Sequence, residues 1–257
     1  MNQSLMQAAA DVARIAGTFA LGHFRERLDV ESKADGSPVT IADRGAEQLA
    51  RDWIGARFPA DGILGEEFGL TRADAARRWI IDPIDGTKSF VRGVPLWGTL
   101  VAVAEGDTVL AGAVYCAPTD EMVVAGLGAG CWWNGTRCRV STVDQLAHAT
   151  ALTTDERMGG SAEKLEGWRA LGERVGLVRS WGDCYGYVLL APGRAEIMVD
   201  PVMNPWDSAA VAPIVTEAGG VFTDWSGRAT PWGADAIATN AMLAVAARAA
   251  LGAAVRR

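Results

Sequence analysis

Two aspartates stand three residues apart where an apolar run ends. The run Trp79-Ile80-Ile81 stops at Asp82, and Asp85 follows within the segment WIIDPIDGTKSF. Neighbouring carboxylates repel each other and are costly to remove from water. A bound cation that offsets this cost is one interpretation of the pair, because hard divalent cations such as Mg²⁺ prefer oxygen ligands. The other interpretation is a simple turn in which the acids cap backbone amides.

Further acids occur where an apolar segment meets a turn or a helix. Glu66 lies at the end of the segment ILGEE, and Asp207 begins an apolar helical pattern after a Pro-Trp pair. Three separate segments could therefore supply carboxylates to one Mg²⁺ site. The candidate carboxylate ligands are Glu66, Asp82, Asp85 and Asp207.

The turn DPIDGT has further features that favour phosphate chemistry. Pro83 fixes one backbone angle between the two acids, so that the Ile84 carbonyl can point inward as a metal ligand. Gly86 permits a close approach, and the amides of Gly86 and Thr87 can hold a phosphate. The Thr87 hydroxyl can orient a water molecule.

Other phosphatase chemistries fit the sequence poorly. Cys131 and Arg137 have the C-x5-R spacing of cysteine phosphatases, but they lie in a hairpin pattern rather than in a Gly-rich anion loop. The acids of DPIDGT are one residue too far apart for the D-x-D-x-T pattern, and side chains alternate between strand faces. Neither His23 nor His148 has the context of a histidine nucleophile.

The overall composition argues for a globular protein that binds no nucleic acid. The chain of 257 residues has 24 basic and 31 acidic residues and a net charge of −7, whereas nucleic-acid surfaces are usually basic. We find no signal-peptide pattern and no apolar stretch long enough to span a bilayer. The four cysteines form no disulfide framework or C-x-x-C pair, which favours a reducing cytoplasmic location.

The sequence pattern divides the chain into two halves. Residues 1–140 are predicted to form an α+β half that carries the metal-binding loops. Residues 141–257 alternate strand and helix patterns, which predicts an α/β half. We expect the active site at the junction of the two halves.

Local patterns predict several elements of these halves. Apolar residues at helical spacing predict a helix over residues 3–27. Thr40 and Asp43 form a capping-box pattern at the start of a second helix, and Asn134-Gly135 predicts a hairpin. The polar residues 70–78 predict a mobile loop. Pro213 is expected to bend the helix that follows Asp207.

Three segments, GEEFG, WIIDPIDGTKSF and PWDSAAVAPIVTEAGG, resemble the inositol monophosphatase family in order and spacing. The resemblance runs over nearly the whole chain. It implies Mg²⁺-dependent hydrolysis of a small phosphorylated metabolite and a homodimer. It also implies the layered αβαβα sandwich shared with fructose-1,6-bisphosphatase.

The resemblance implies a role for each matching residue. Glu66, Asp82 and the Ile84 carbonyl would hold a first Mg²⁺ ion. Asp82, Asp85 and Asp207 would hold a second ion, and a third, weaker ion would lie near Glu66. Mn²⁺ is a possible substitute for Mg²⁺.

The same resemblance assigns the attacking water to Glu66 and Thr87, with Asp43 supporting Thr87. Glu67 would contact the metal ligands without binding the metal itself. Lys33 matches a lysine often found in the family, and the alternative for Lys33 is a solvated surface side chain.

The family resemblance also places two acids in the pocket for the leaving alcohol. These are Asp183 and Asp200, with Trp181 and Gly182 beside the first of them in the sequence. Carboxylates suit a cationic alcohol better than a neutral polyol. The alternatives are that Asp183 caps a helix and that Asp200 simply ends a strand.

Two further segments narrow the resemblance within the family. GTKSFVRGVPLWGTL and WGDCYGY resemble its histidinol-phosphate phosphatases, which implies hydrolysis of L-histidinol phosphate in histidine biosynthesis. Inositol 1-phosphate or another sugar phosphate is the alternative substrate. Binding to an RNA polymerase factor, known for some family members, is the non-enzymatic alternative.

Overall fold

The computed structural model describes residues 2–34 and 36–254 of the chain. Seven α-helices are found within these residues. They are α1 (Asn2–Leu21), α2 (Ile41–Arg57), α3 (Thr87–Phe90), α4 (Ala162–Gly172), α5 (Asp183–Leu190), α6 (Pro205–Glu217) and α7 (Ala244–Ala250).

The strands of the described residues form three sheets. They are β1 (Glu31–Ser32), β2 (Pro38–Val39), β3 (Gly62–Gly65), β4 (Gly69–Thr71), β5 (Arg77–Asp85), β6 (Gly98–Glu105), β7 (Thr108–Cys116), β8 (Glu121–Gly126), β9 (Gly130–Trp133), β10 (Thr136–Cys138), β11 (Thr150–Thr153), β12 (Leu177–Arg179), β13 (Ile197–Asp200), β14 (Val221–Thr223) and β15 (Ala236–Thr239). The large sheet has the order β10-β9-β8-β7-β6-β5-β3-β4, the second sheet has the order β12-β11-β13-β15-β14, and β1 pairs with β2.

The alternation of side chains along the strands builds a five-layer sandwich. On β5, Trp79 and Ile81 pack against α1 and α2, whereas Ile80 faces the core that contains α5 and α6. On β13, Met198 reaches this same central core, whereas Ile197 and Val199 pack against α4 and α7. The predicted αβαβα arrangement is therefore confirmed.

The two large sheets use separate parts of the chain. The strands of the eight-stranded sheet lie within residues 62–138, and those of the five-stranded sheet lie within residues 150–239. The division into halves at residue 140 stays a prediction. Among the described helices, none combines the length and the apolar character that crossing a membrane requires.

Two predicted features at the ends of elements are present. Thr40 caps α2, and its backbone N–H donates to the Asp43 carboxylate at 2.8 Å, which completes the capping box. Asn134 and Gly135 connect β9 to β10 as a hairpin, and both residues have the positive φ angles that such a turn requires.

Two predicted boundaries are wrong. Helix α1 ends at Leu21 instead of residue 27, because the chain enters tight turns in which Gly22 N–H lies near the carbonyls of Thr18 and Phe19. The predicted loop over residues 70–78 contains the end of β4 and the start of β5. Strand β4 pairs with β3 at the edge of the large sheet, where exposed residues give a strand a loop-like composition.

Helix α6 crosses the central layer close to β7. It is continuous from Pro205 to Glu217 with Pro213 inside it, and the bend expected at Pro213 stays a prediction. A side chain at Gly112 on β7 would lie 2.2 Å from the Ala210 carbonyl and 2.8 Å from the Pro213 ring. The absence of a side chain at Gly112 thus allows α6, the helix that carries Asp207, to lie against the sheet.

Candidate active site

A cleft of about 210 Å³ lies where the end of β5 faces the first turns of α5 and α6. Nine residues predicted to act in the site line it together. They are Glu66, Asp82, Ile84, Asp85, Gly86, Thr87, Asp183, Asp200 and Asp207. The structure thus brings these nine positions together, while their individual roles stay predictions.

The end of β5 directs two acids into the same cleft. Residues three apart on a regular strand point to opposite faces. The pairing of β5 with β6 is irregular between Asp82 and Asp85, where Pro83 interrupts the ladder. The Asp82 carboxylate also accepts the Ile84 N–H at 3.0 Å, which fixes the turn. This local irregularity allows both acids to line one cleft.

Helix α6 supplies the third acid of the cluster. Asp207 lies in the first turn, where the helix dipole favours a negative charge, and it accepts the Asn204 backbone N–H at 2.7 Å. One carboxylate oxygen from each of Asp82, Asp85 and Asp207 lies within 4.8 Å of the others. These three carboxylates, which come from two chain segments, form the metal-type cluster.

Burial and mutual repulsion disfavour the ionised forms of these acids. Burial raises the pKa of Asp82 well above its ordinary value, and the charges of Glu66 and Asp85 raise it further. Burial also raises the pKa of Asp85, with added repulsion first from Asp183. The pKa of Asp207 rises to about 6, again mainly through burial. A cation would favour all of the ionised forms.

The donor atoms fit a hard divalent cation. The cluster offers three aspartate carboxylates, and Glu66 and Ile84 line the same cleft. Mg²⁺ and Mn²⁺ prefer such ligands, whereas softer ions prefer sulfur or imidazole. The residues present therefore suit the metal that the sequence predicts.

Lys33 makes direct contacts with the acids beside this cluster. Its ammonium lies 2.6 Å from Glu66 Oε1 and 2.5 Å from Glu67 Oε1. Burial lowers the pKa of Lys33, but its bonds to the two carboxylates outweigh this effect and raise the pKa overall. Burial raises the pKa of Glu67 to about 7 in spite of Lys33. The alternative of a freely solvated lysine is therefore wrong.

Thr87 lies at the start of α3 beside the metal-type cluster. Its hydroxyl donates to the Ile84 carbonyl at 2.9 Å and lies 3.3 Å from Asp43 Oδ1. Asp43 is buried behind Thr87 and does not itself line the cleft. Thr87 is thus the member of this pair that can contact a molecule in the cleft.

Two more acids lie on the side of the cleft formed by α5 and β13. Asp183 is the first residue of α5, and Gly182 is the N-cap, so the alternative that Asp183 is the cap residue is wrong. Burial raises the pKa of Asp183 to about 7. Asp200 is the last residue of β13, as the alternative interpretation of a strand end predicts, and it also lines the cleft. Its pKa rises to about 6 through burial.

Trp181 and Gly182 lie outside the cleft, although they were predicted to help bind the substrate. The Trp181 side chain is 41% exposed. A side chain at Gly182 would lie 2.3 Å from the Thr154 Cα, so Gly182 serves close packing. Neither residue lines the cleft, and their part in substrate binding stays a prediction.

The cleft contains residues that the sequence analysis missed. The Tyr187 hydroxyl donates to Asp200 Oδ2 at 2.7 Å, and its spacing of four residues from Asp183 on α5 could have indicated this position. The remaining lining residues without a prediction are Ser37, Pro38, Lys88, Thr154, Val202, Met203, Asn204 and Trp206.

The family can be assigned from comparison with known proteins. The family model described as "Inositol monophosphatase family" matches residues 1–256. The chain belongs to the inositol monophosphatase family. The resemblance seen in the sequence is therefore confirmed, and the chain is a phosphatase of this family.

Similar proteins within the inositol monophosphatase family agree in sequence and fold. A histidinol-phosphatase of Chlorobaculum parvum is 44% identical over 87% of this chain and 86% of its own length. A histidinol-phosphatase of Mycobacterium tuberculosis is 39% identical over 84% of this chain and 85% of its own. The crystal structure of the extragenic suppressor protein suhB of Bartonella henselae superposes with a TM-score of 0.92. It is 28% identical and covers 98% of this chain and 100% of its own.

Proposed function

We propose that this phosphatase hydrolyses L-histidinol phosphate to L-histidinol and phosphate with the help of Mg²⁺. The observation that carries the proposal is the pairing of two acid groups across one cleft. Asp82, Asp85 and Asp207 form the metal-type cluster, and Asp183 and Asp200 provide negative charge beside it. The similarity to two histidinol-phosphatases over most of their length supports the same substrate.

The phosphate end of the cleft is suited to direct attack by water. Bound Mg²⁺ would lower the pKa of a water molecule and offset negative charge on the phosphoryl group. The metal-type cluster would hold the Mg²⁺ ions, and the amides of Gly86 and Thr87 would hold the phosphate. The Thr87 hydroxyl, supported by Asp43, would orient the attacking water. Positioning and electrostatics then account for most of the protein's work.

The other end of the cleft is suited to a cationic leaving group. L-Histidinol carries an amine and an imidazole, and Asp183 and Asp200 offer carboxylates to such groups. Lys88 also lines the cleft, and its charge opposes the rise in the pKa of Asp183 and so favours the ionised carboxylate. A neutral polyol would add no positive charge to balance these two acids.

The first experiment compares phosphate release from two esters in the presence of Mg²⁺. We expect kcat/KM for L-histidinol phosphate to exceed that for myo-inositol 1-phosphate by at least about ten-fold, because charge pairing distinguishes the two alcohols. Equal values, or a preference for the inositol ester, would overturn the substrate proposal. Hydrolysis of either ester would still agree with the phosphatase family.

The variant Asp183→Asn tests the pocket for the leaving group. Loss of one charge-assisted contact should lower kcat/KM for L-histidinol phosphate by about ten-fold, with a much smaller change for myo-inositol 1-phosphate. Steady-state kinetics on both esters measure the difference. Asp144→Asn is the control, because Asp144 is exposed and does not line the cleft. An equal loss on both esters would contradict a selective role.

The homodimer, the cytoplasmic location and the absence of nucleic-acid partners stay predictions. Binding to an RNA polymerase factor also stays an alternative, and no observation favours it over catalysis. Gel filtration coupled to light scattering would measure the oligomeric state directly.

A further inference from the structure

Thr154 occupies a junction between the two acids of the leaving-group pocket. It directly follows β11, which pairs in parallel with β13 so that Thr153 lies opposite Val199. One residue further along each chain segment are Thr154, just after β11, and Asp200, the last residue of β13. Because the carboxyl ends of parallel strands meet at one sheet edge, these two residues are brought together. Both of them line the cleft.

Thr154 holds the backbone that carries Asp183. The Asp183 N–H donates to Thr154 Oγ1 at 2.7 Å. Asp183 has a φ angle of 49°, in the left-handed region that costs energy for residues other than glycine. The next amide, Cys184 N–H, donates to Asp85 Oδ2 at 2.5 Å. The strained turn is therefore held from both sides, by Thr154 and by an acid of the metal-type cluster.

Thr154 also acts on Asp200. The Tyr187 hydroxyl bonds to Asp200 Oδ2, whereas Oδ1 has no partner within hydrogen-bonding geometry even though Asp200 is only 4% exposed. The Thr154 oxygen accepts from Asp183, so its own proton is free to be donated towards Asp200. The nearby hydroxyl and amide of Thr154 lower the pKa of Asp200, whereas burial raises it.

We propose that Thr154 is a positioning residue for the leaving group, acting through Asp183 and Asp200. This inference rests on the proposed function, because it concerns the alcohol end of the same cleft. Thr154 binds the backbone N–H of Asp183 and lies beside Asp200 at the end of the neighbouring strand. Removing its hydroxyl should therefore weaken binding of the alcohol while leaving the phosphate end intact.

The test compares Thr154→Val, Thr154→Ser and Thr230→Val on two substrates. L-Histidinol phosphate needs the alcohol pocket, whereas p-nitrophenyl phosphate lacks the cationic groups. Thr230 is the matched control, because its hydroxyl accepts a loop amide at 3.1 Å and it lies outside the cleft. Thr154 is exposed and Thr230 is half-buried, so we expect all three variants to fold, and melting temperatures will verify this.

We expect Thr154→Val to raise KM for L-histidinol phosphate by about five- to ten-fold, which corresponds to one hydrogen bond. Its kcat and its kinetics with p-nitrophenyl phosphate should change less than about two-fold. Thr154→Ser should restore KM, and Thr230→Val should resemble the wild type. In the variant Asp183→Asn, the added Thr154→Val change should have a smaller effect, because the two residues act together.

Equal losses on both substrates, or no change in KM, would overturn the role of Thr154. The wild-type enzyme tests the proposed function separately, because that proposal fails if L-histidinol phosphate is not its preferred ester. In that case the KM comparison is made between myo-inositol 1-phosphate and p-nitrophenyl phosphate. The same pocket holds the alcohol of either ester, so a KM increase confined to the inositol ester would support the positioning role.

Discussion

Replacing Asp82 by asparagine should lower kcat/KM for phosphate-ester hydrolysis by at least about 10³-fold. Asp82 is 2% exposed, and its carboxylate adjoins those of Asp85 and Asp207. An amide of the same shape has no negative charge, so it weakens the attraction for a divalent cation without leaving a cavity. Phosphate release at saturating Mg²⁺ measures the loss. Glu66→Gln should reduce turnover in the same way.

A stability measurement separates this chemical loss from unfolding. Because burial and neighbouring charges raise the pKa of Asp82, its ionised form is costly in the folded protein. In EDTA, Asp82→Asn should therefore melt at or above the wild-type temperature, and Mg²⁺ should stabilise it less than the wild type. The exposed control Asp144→Asn should keep full activity. Wild-type turnover by a folded Asp82→Asn enzyme would refute the metal-site assignment.

The sequence indicated the residues near the metal-type cluster because local rules determine their geometry. The Asp82–Thr87 turn contains Pro83 and Gly86, whose backbone preferences are strong and independent of distant contacts. The capping box of Thr40 and Asp43 is likewise a local pattern. The αβαβα fold followed from the family resemblance rather than from these local rules.

Features that depend on contacts between distant segments were missed. Strand β4 was predicted as part of a loop, because only its pairing with β3 identifies it as an edge strand. Thr154 and Asp200 are neighbours through the register of β11 and β13, which the sequence does not state. Trp181 was placed in the pocket from sequence proximity alone, and the structure places it outside. Tertiary pairing decides each of these cases.

The stability of the metal-free protein should fall as the pH rises. Burial raises the pKa of Asp207 and Asp200 to about 6, and raises the pKa of Asp183 and Glu67 to about 7. Between the ordinary carboxyl range and these values, the folded protein binds more protons than the unfolded chain. Stability is therefore full below about pH 4 to 4.5 for these groups and is lost as the pH rises through 6 to 7.

Thermal melting in EDTA from about pH 5 to about pH 8 measures this dependence. Acids whose pKa is lowered in the folded protein change their contribution to stability only at and below the ordinary carboxyl range. They therefore do not oppose the trend between about pH 5 and about pH 8. They are Glu31, Asp120 and Asp224. We expect the melting temperature to fall across the range, and to fall less steeply in Asp207→Asn than in the control Asp144→Asn.

Mg²⁺ should reverse part of this loss, because it competes with protons for Asp207 and the other carboxylates of the metal-type cluster. The increase in melting temperature on adding Mg²⁺ should accordingly be larger at about pH 8 than at about pH 5. Proton release on Mg²⁺ binding, measured by calorimetry in buffers of different ionisation enthalpy, gives a second readout. An equal Mg²⁺ effect at both pH values, with no protons released, would show that the raised carboxyl pKa values and the metal site are not linked.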